Sequence, residues 1–190
     1  TYSTGENRVT ASFLAVLRAL SLDRMQRLLG SLMEQSEFEL IRFENQPSKG
    51  GLGVPDAMIQ SSIRLLLETK IVRDTVSVPQ LKRHLERLEE ATEAVALLLV
   101  LTPDDARPAE VDEMNDPRVV WASFATLEQA IDEILDDKYE VVSEREAYLL
   151  RELQNMLAAE GLLSNSNDVL VVAARNAWPE YNDFHAYICQ

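Results

Sequence analysis

Two short runs carry the residues whose types and spacing could do chemistry: Val54-Pro55-Asp56-Ala57-Met58-Ile59, and, after a polar Ser61-Ser62 turn, Ile63 to Ile71 with Glu68, Thr69 and Lys70 near its end. Both read as strands, and together as a β-hairpin. Glu68 and Lys70 are two apart, so on a strand their side chains leave one face while Leu65, Leu67 and Ile71 leave the other. A connection of three residues or a single bulge brings Asp56 level with Glu68; a strict two-residue turn sets it against Leu67 instead. Two carboxylates beside an ammonium on apolar strands are costly to bury unless something binds them, and a divalent cation is the natural occupant.

Pro55-Asp56 followed by Glu68-Thr69-Lys70 resembles the motif of the PD-(D/E)XK nuclease superfamily, whose members share the restriction endonuclease-like fold. The resemblance spans residues 3 to about 135. It implies that Asp56 and Glu68 hold Mg²⁺, with Mn²⁺ as a substitute, that the main-chain carbonyl of Thr69 completes the metal shell, and that Lys70 aligns or activates the hydrolytic water. The implied activity is that of an endonuclease acting on DNA in the cytoplasm. The other reading is a domain that keeps this fold for nucleic acid binding or protein assembly without cleavage.

The elements around the motif extend this. Val9, Phe13, Leu14, Val16, Leu17 and Leu20 are spaced as an amphipathic helix that opens at Ser3-Thr4-Gly5-Glu6. Many members of the superfamily carry a glutamate on such a leading helix, which gives Glu6 a place at the metal. Ser3-x-x-Glu6 is equally a capping box, and the two roles are compatible. Ser77-Val78-Pro79 starts a later helix on which Gln80 and His84 stand at i,i+4. Nucleases of the superfamily place a Gln-x-x-x-Tyr pair there against DNA; His84 departs from that pattern, and a solvated helix face is the alternative. Lys49, Arg64, Arg73, Lys82, Arg83 and Arg87 gather around these segments, where they either meet phosphates or serve as ordinary surface charges. The loop Lys49-Gly50-Gly51-Leu52-Gly53 lacks the strand, helix and Lys-Ser/Thr tail of a nucleotide loop, and reads as a close approach for a nucleic acid backbone or as a plain connection.

The chain of 190 residues suits one domain, or a domain with an extension, and its formal net charge of −14 is adverse to phosphate binding. The excess is uneven. Residues 1–90 hold 12 basic and 12 acidic side chains, whereas residues 91–190 hold 6 and 20. No apolar run is long enough for a membrane helix. The single Cys189 leaves no internal disulfide and agrees with a reducing cytosol; zinc ligation has no support.

The pattern predicts helices at 5–20 and 22–35, strands at 37–44, 54–60 and 63–72, a helix at 79–92, an apolar strand at 95–101, a mobile polar loop at 102–117, a strand at 118–124 and a helix at 126–136. Periodicity alone indicates an α/β or α+β fold. The superfamily resemblance implies an α/β fold with a mixed central sheet flanked by helices. Residues 1–140 are expected to form the nuclease-like core, and residues 141–190 a helix-strand extension packed on it. In the extension Ser143-x-x-Glu146 is a second capping box, Tyr148, Leu149, Leu153, Met156 and Leu157 form an apolar stripe, and Gly161 suits the helix end. A strand at 168–174 and the aromatics Trp178, Tyr181, Phe184 and Tyr187 follow. Ending at Ile188-Cys189-Gln190 without a polar tail, the chain reads as a fragment whose extension leads to a further domain or subunit; a homo-oligomer is also compatible.

Overall fold

A computed structural model of the chain describes residues 5–34, 41–45, 57–61, 63–91, 93 and 95–163, with 41–45 and 57–61 described by backbone alone. The elements are α1 (Gly5–Ala19), α2 (Leu22–Leu32), β1 (Ile41–Asn45), β2 (Ala57–Ser61), β3 (Ile63–Thr69), α3 (Val78–Glu89), β4 (Val95–Thr102), α4 (Ala109–Met114), β5 (Val119–Ser123), α5 (Phe124–Leu135) and α6 (Glu144–Ala159). The chain is mixed α/β. Among the described residues β3, β4 and β5 form a parallel sheet in that order, and β1 pairs with β2 in a separate antiparallel ribbon.

That sheet forms because β4, Val-Ala-Leu-Leu-Leu-Val-Leu-Thr, can be buried on both faces. Leu97, Leu99 and Leu101 point into a core shared with α1, α2, α5 and α6. Leu98 and Val100 point the other way, onto Leu81, Leu85 and Leu88 of α3 and Val111 of α4. The result is a three-layer arrangement with helices on both faces. Helix α3 starts with Pro79 in its first turn and ends at Glu89, with Glu90 as its cap; its apolar stripe makes it the crossover that parallel β3 and β4 require.

Two expectations are corrected. The hairpin of 54–60 with 63–72 does not form: among the described residues β2 pairs with β1, Ile41 opposite Ser61 and Asn45 opposite Ala57, while β3 pairs in parallel with β4, Ile63 opposite Val95. One residue separates Ser61 from Ile63, fewer than the tightest hairpin turn needs. The polar stretch 102–117 is not all loop, because α4 runs from Ala109 to Met114 with Val111 buried beneath it. Pro108 presets its start, and Asn115 ends it in the left-handed conformation at φ 46°. Ser3, the strand expected at 168–174 and the aromatic tail lie outside the described residues.

The extension helix α6 is an integral layer. Leu149, Leu150, Leu153, Met156 and Leu157 are buried in the same core as Val9, Phe13 and Val16 of α1. Its capping box forms as the sequence indicates, and Gly161 follows at φ 73°, a value that favours glycine. Glu146 does more than cap. Its carboxylate also accepts the Ser21 backbone N–H at 2.8 Å and pairs with Arg24 at 3.2 Å, tying the start of α2 to α6.

Burial pushes the Glu146 carboxyl up, but the Ser143 hydroxyl, the Ser21 N–H and Arg24 outweigh it and hold its pKa down at about 2. A folded-state pKa below the ordinary 4.5 adds stability above pH 4.5 that is lost as the pH falls toward 2. The linked contribution is about 3 kcal/mol at neutral pH. Wild type should therefore melt well above Glu146→Gln at pH 6, and the gap should close between pH 4.5 and 2.5; parallel melting curves across that range would contradict the linkage.

Candidate functional site

The site lies where β3 ends. Strand alternation sends Leu65 and Leu67 to the α1 side of the sheet and Leu66 and Glu68 to the α3 side. Beyond Thr69, Lys70 continues the ladder through its N–H to the Leu101 carbonyl at 2.9 Å, which keeps its side chain on the face of Glu68. The carboxyl ends of parallel strands are where open α/β sheets bind ligands.

Glu68 and Lys70 are 9% and 8% exposed, so both charges are largely removed from water. Lys70 Nζ is 2.8 Å from Glu68 Oε1 and donates to Gln80 Oε1 at 3.1 Å. Gln80 Nε2 donates to Glu68 Oε1 at 2.6 Å, and His84 Nε2 stands 2.9 Å from Glu68 Oε2. The pair is therefore held in a closed network fed by one face of α3, which compensates its desolvation.

Glu6 enters from the other side. The first turn of α1 crosses the end of β3 so closely that a Cβ on Gly5 would meet Ile71 Cδ1 at 2.5 Å. This approach puts Glu6 Oε1 3.8 Å from Lys70 Nζ, with the Glu6 side chain 43% exposed at the mouth of the cluster. Glu6, Glu68, Lys70, Gln80 and His84, drawn from α1, β3 and α3, thus come together. Thr69 sits between the two charged residues, and its Oγ1 is buried without a hydrogen-bond partner among the described residues. Asp56 and Lys49 lie outside the described residues.

For Gln80 and His84 the sequence offered a DNA contact or a solvated helix face; in the structure both contact Glu68, and Gln80 also contacts Lys70. Of the basic residues read as phosphate contacts or ordinary surface charges, Arg64 binds Glu93 at 3.0 Å and Arg73 pairs with Asp105. One buried acid went unnoticed. Asp104, just past β4, accepts the Asp74 N–H on Oδ1 at 3.0 Å, and its buried Oδ2 has no partner among the described residues. Its signal was Thr102-Pro103-Asp104 directly after the apolar strand, at the same end of the sheet as Lys70.

Mg²⁺ binds one or two protein carboxylates and completes its octahedron with water and phosphate oxygens. Glu68 and Glu6, on either side of Lys70, supply oxygen donors of that kind, although no group of three His, Cys, Asp or Glu side chains among the described residues could hold an ion. The donor chemistry fits a hard divalent cation. Among the described residues no helix is long and apolar enough to cross a membrane. No family model matches the chain, nor does any curated protein or solved structure.

Proposed function

We propose that this chain is a Mg²⁺-dependent phosphodiesterase of PD-(D/E)XK type acting on DNA, with a restriction endonuclease-like core. The observation that supports the reading most is the convergence of Glu6, Glu68 and Lys70 from two separate elements at the end of a parallel strand. Glu68 and Glu6 would hold the cation, and the resemblance adds Asp56 and the Thr69 carbonyl to them. Bound there, the cation would neutralise the scissile phosphate and lower the pKa of water. Lys70 presents its ammonium to the attacking water and the phosphate oxygens, while Gln80 fixes the direction of its Nζ. Partial burial of the pair strengthens these interactions at the reacting phosphorus.

One observation favours the other reading, a nuclease-fold domain that binds nucleic acid or assembles without cleaving. Both Glu68 oxygens already have protein partners, Lys70 and Gln80 on one and His84 on the other, so a cation must displace at least one contact. A divalent titration separates the two. Mg²⁺ or Mn²⁺ should bind wild type in calorimetry and raise its melting temperature, by about 2.7 kcal/mol of stability at a hundredfold excess over Kd. Glu68→Gln should lose the response and Glu6→Gln should weaken it. Absence of binding to wild type at millimolar metal would sink the catalytic reading.

A further inference from the structure

Helix α3 has three faces with different partners. At 3.6 residues per turn, with Gln80 as origin, Leu88, Leu81 and Leu85 fall at about 80°, 100° and 140°, the stripe buried on β4. His84, Arg87 and Arg83 fall at about 40°, −20° and −60° on the same count, so they continue the Gln80 face outward from the Glu68–Lys70 cluster. Lys82 falls at about 200°, on the opposite flank of the buried stripe. Arg83 and Arg87 are exposed, and among the described residues neither forms an ion pair or hydrogen bond.

Arg18, Lys82, Lys138, Arg145 and Arg151 are likewise without an ion pair among the described residues, so what sets Arg83 and Arg87 apart is their place beside the Glu68–Lys70 cluster. Arg8, Arg24, Arg27, Arg64, Arg73, Arg107 and Arg118 all pair with carboxylates, and Arg118 takes up Glu89 of α3 itself at 2.9 Å. Arg83 and Arg87 stand about 6 Å apart along the helix axis, far enough for each guanidinium to take its own phosphate. Glu90, at the end of the helix, sets the limit of the stripe with a charge that repels phosphate.

We infer that this flank of α3, Arg83 and Arg87 beside Gln80 and His84, is the track that carries the DNA phosphate backbone to the Glu68–Lys70 cluster. The inference rests on the nuclease reading and adds a binding surface to it. It sorts the basic residues: Arg64 and Arg73 are structural, Arg83 and Arg87 bind substrate, and Lys82 does neither.

The test is fluorescence anisotropy of a labelled 20-base-pair duplex in EDTA, which stops turnover, across 50 to 200 mM salt. Each phosphate contact contributes about 0.9 to the slope of log K against log salt, so Arg83→Ala/Arg87→Ala should lower that slope by about 1.8, which referred to 1 M salt weakens binding about 200-fold at 50 mM. Lys82→Ala should change neither, and melting curves should show all three proteins equally folded. A double variant with wild-type slope and affinity would overturn the track, as would a wild type that does not bind the duplex. A single-phosphodiester substrate, the p-nitrophenyl ester of thymidine 5′-phosphate, reports on the cleavage centre alone. If wild type hydrolyses it with Mn²⁺ while DNA binding ignores the arginines, the track fails and the nuclease reading stands. If wild type does not hydrolyse it while the arginines still govern binding, the cleavage reading fails and the track stands as a binding surface.

Discussion

A chain cut after Asp137 is expected to be insoluble or molten rather than a smaller working domain. The cut removes α6, whose Leu149, Leu150, Leu153, Met156 and Leu157 are buried against α1 and its neighbours. At roughly 1.5–3 kcal/mol for each side chain, the lost burial amounts to about 7–15 kcal/mol. That equals the whole stability of a typical domain, about 5–15 kcal/mol. The cut also severs the Glu146 contacts to Ser21 and Arg24, which brace α2, and the Arg8–Glu160 ion pair at 2.5 Å, which braces α1 and so the position of Glu6. A milder probe of the same layer is Leu153→Ala, fully buried and expected to cost about 2–5 kcal/mol. Circular dichroism and calorimetry on the fragment decide it: a soluble, cooperatively melting fragment of residues 1–137 would show that α6 is an appendage.

What the sequence made legible was local. The period-two alternation at Glu68 and Lys70, the two-sided apolar run of β4 and the Ser143-x-x-Glu146 cap all depend on residues a few positions apart, and each appears as expected. Pairing partners are not local. Strand β3 could be recognised as a strand, yet its alternation does not say whether it pairs with β2 just before it or with β4 across a helix. Chain length between Ser61 and Ile63 decides that, and the polar Ser61-Ser62 pair obscured it by resembling a turn. Helix α4 was hidden because its acids and flanking prolines look like loop composition, while one buried valine is enough to seat a helix of six residues. The same division holds at the site. Gln80 and His84 were visible as a pair on one helical face, but only the packing of α3 on β4 turns that face toward Glu68. The bond from Glu146 to the Ser21 N–H joins residues 125 apart and left no mark in the local sequence.

Lys70→Ala is expected to lower DNA cleavage by about 10²–10⁴-fold, the range over which a positioned proton-transfer group contributes. Because Lys70 and Glu68 are both nearly buried and 2.8 Å apart, the substitution also strips Glu68 of its nearest cation. Removing one partner of a buried pair costs about 3–5 kcal/mol. The lower end applies here, since Gln80 and His84 still contact Glu68. Burial makes Lys70 part of the fold as well as of the site. Stability and cleavage must therefore be read separately, the first by denaturant unfolding and the second at a temperature where the variant is fully folded. Divalent cations should bind the variant at least as well as wild type, because the ammonium that competes for Glu68 is gone. A folded Lys70→Ala protein that binds metal and cleaves DNA at the wild-type rate would reduce Lys70 to a structural counter-charge and leave hydrolysis to other groups at the end of β3.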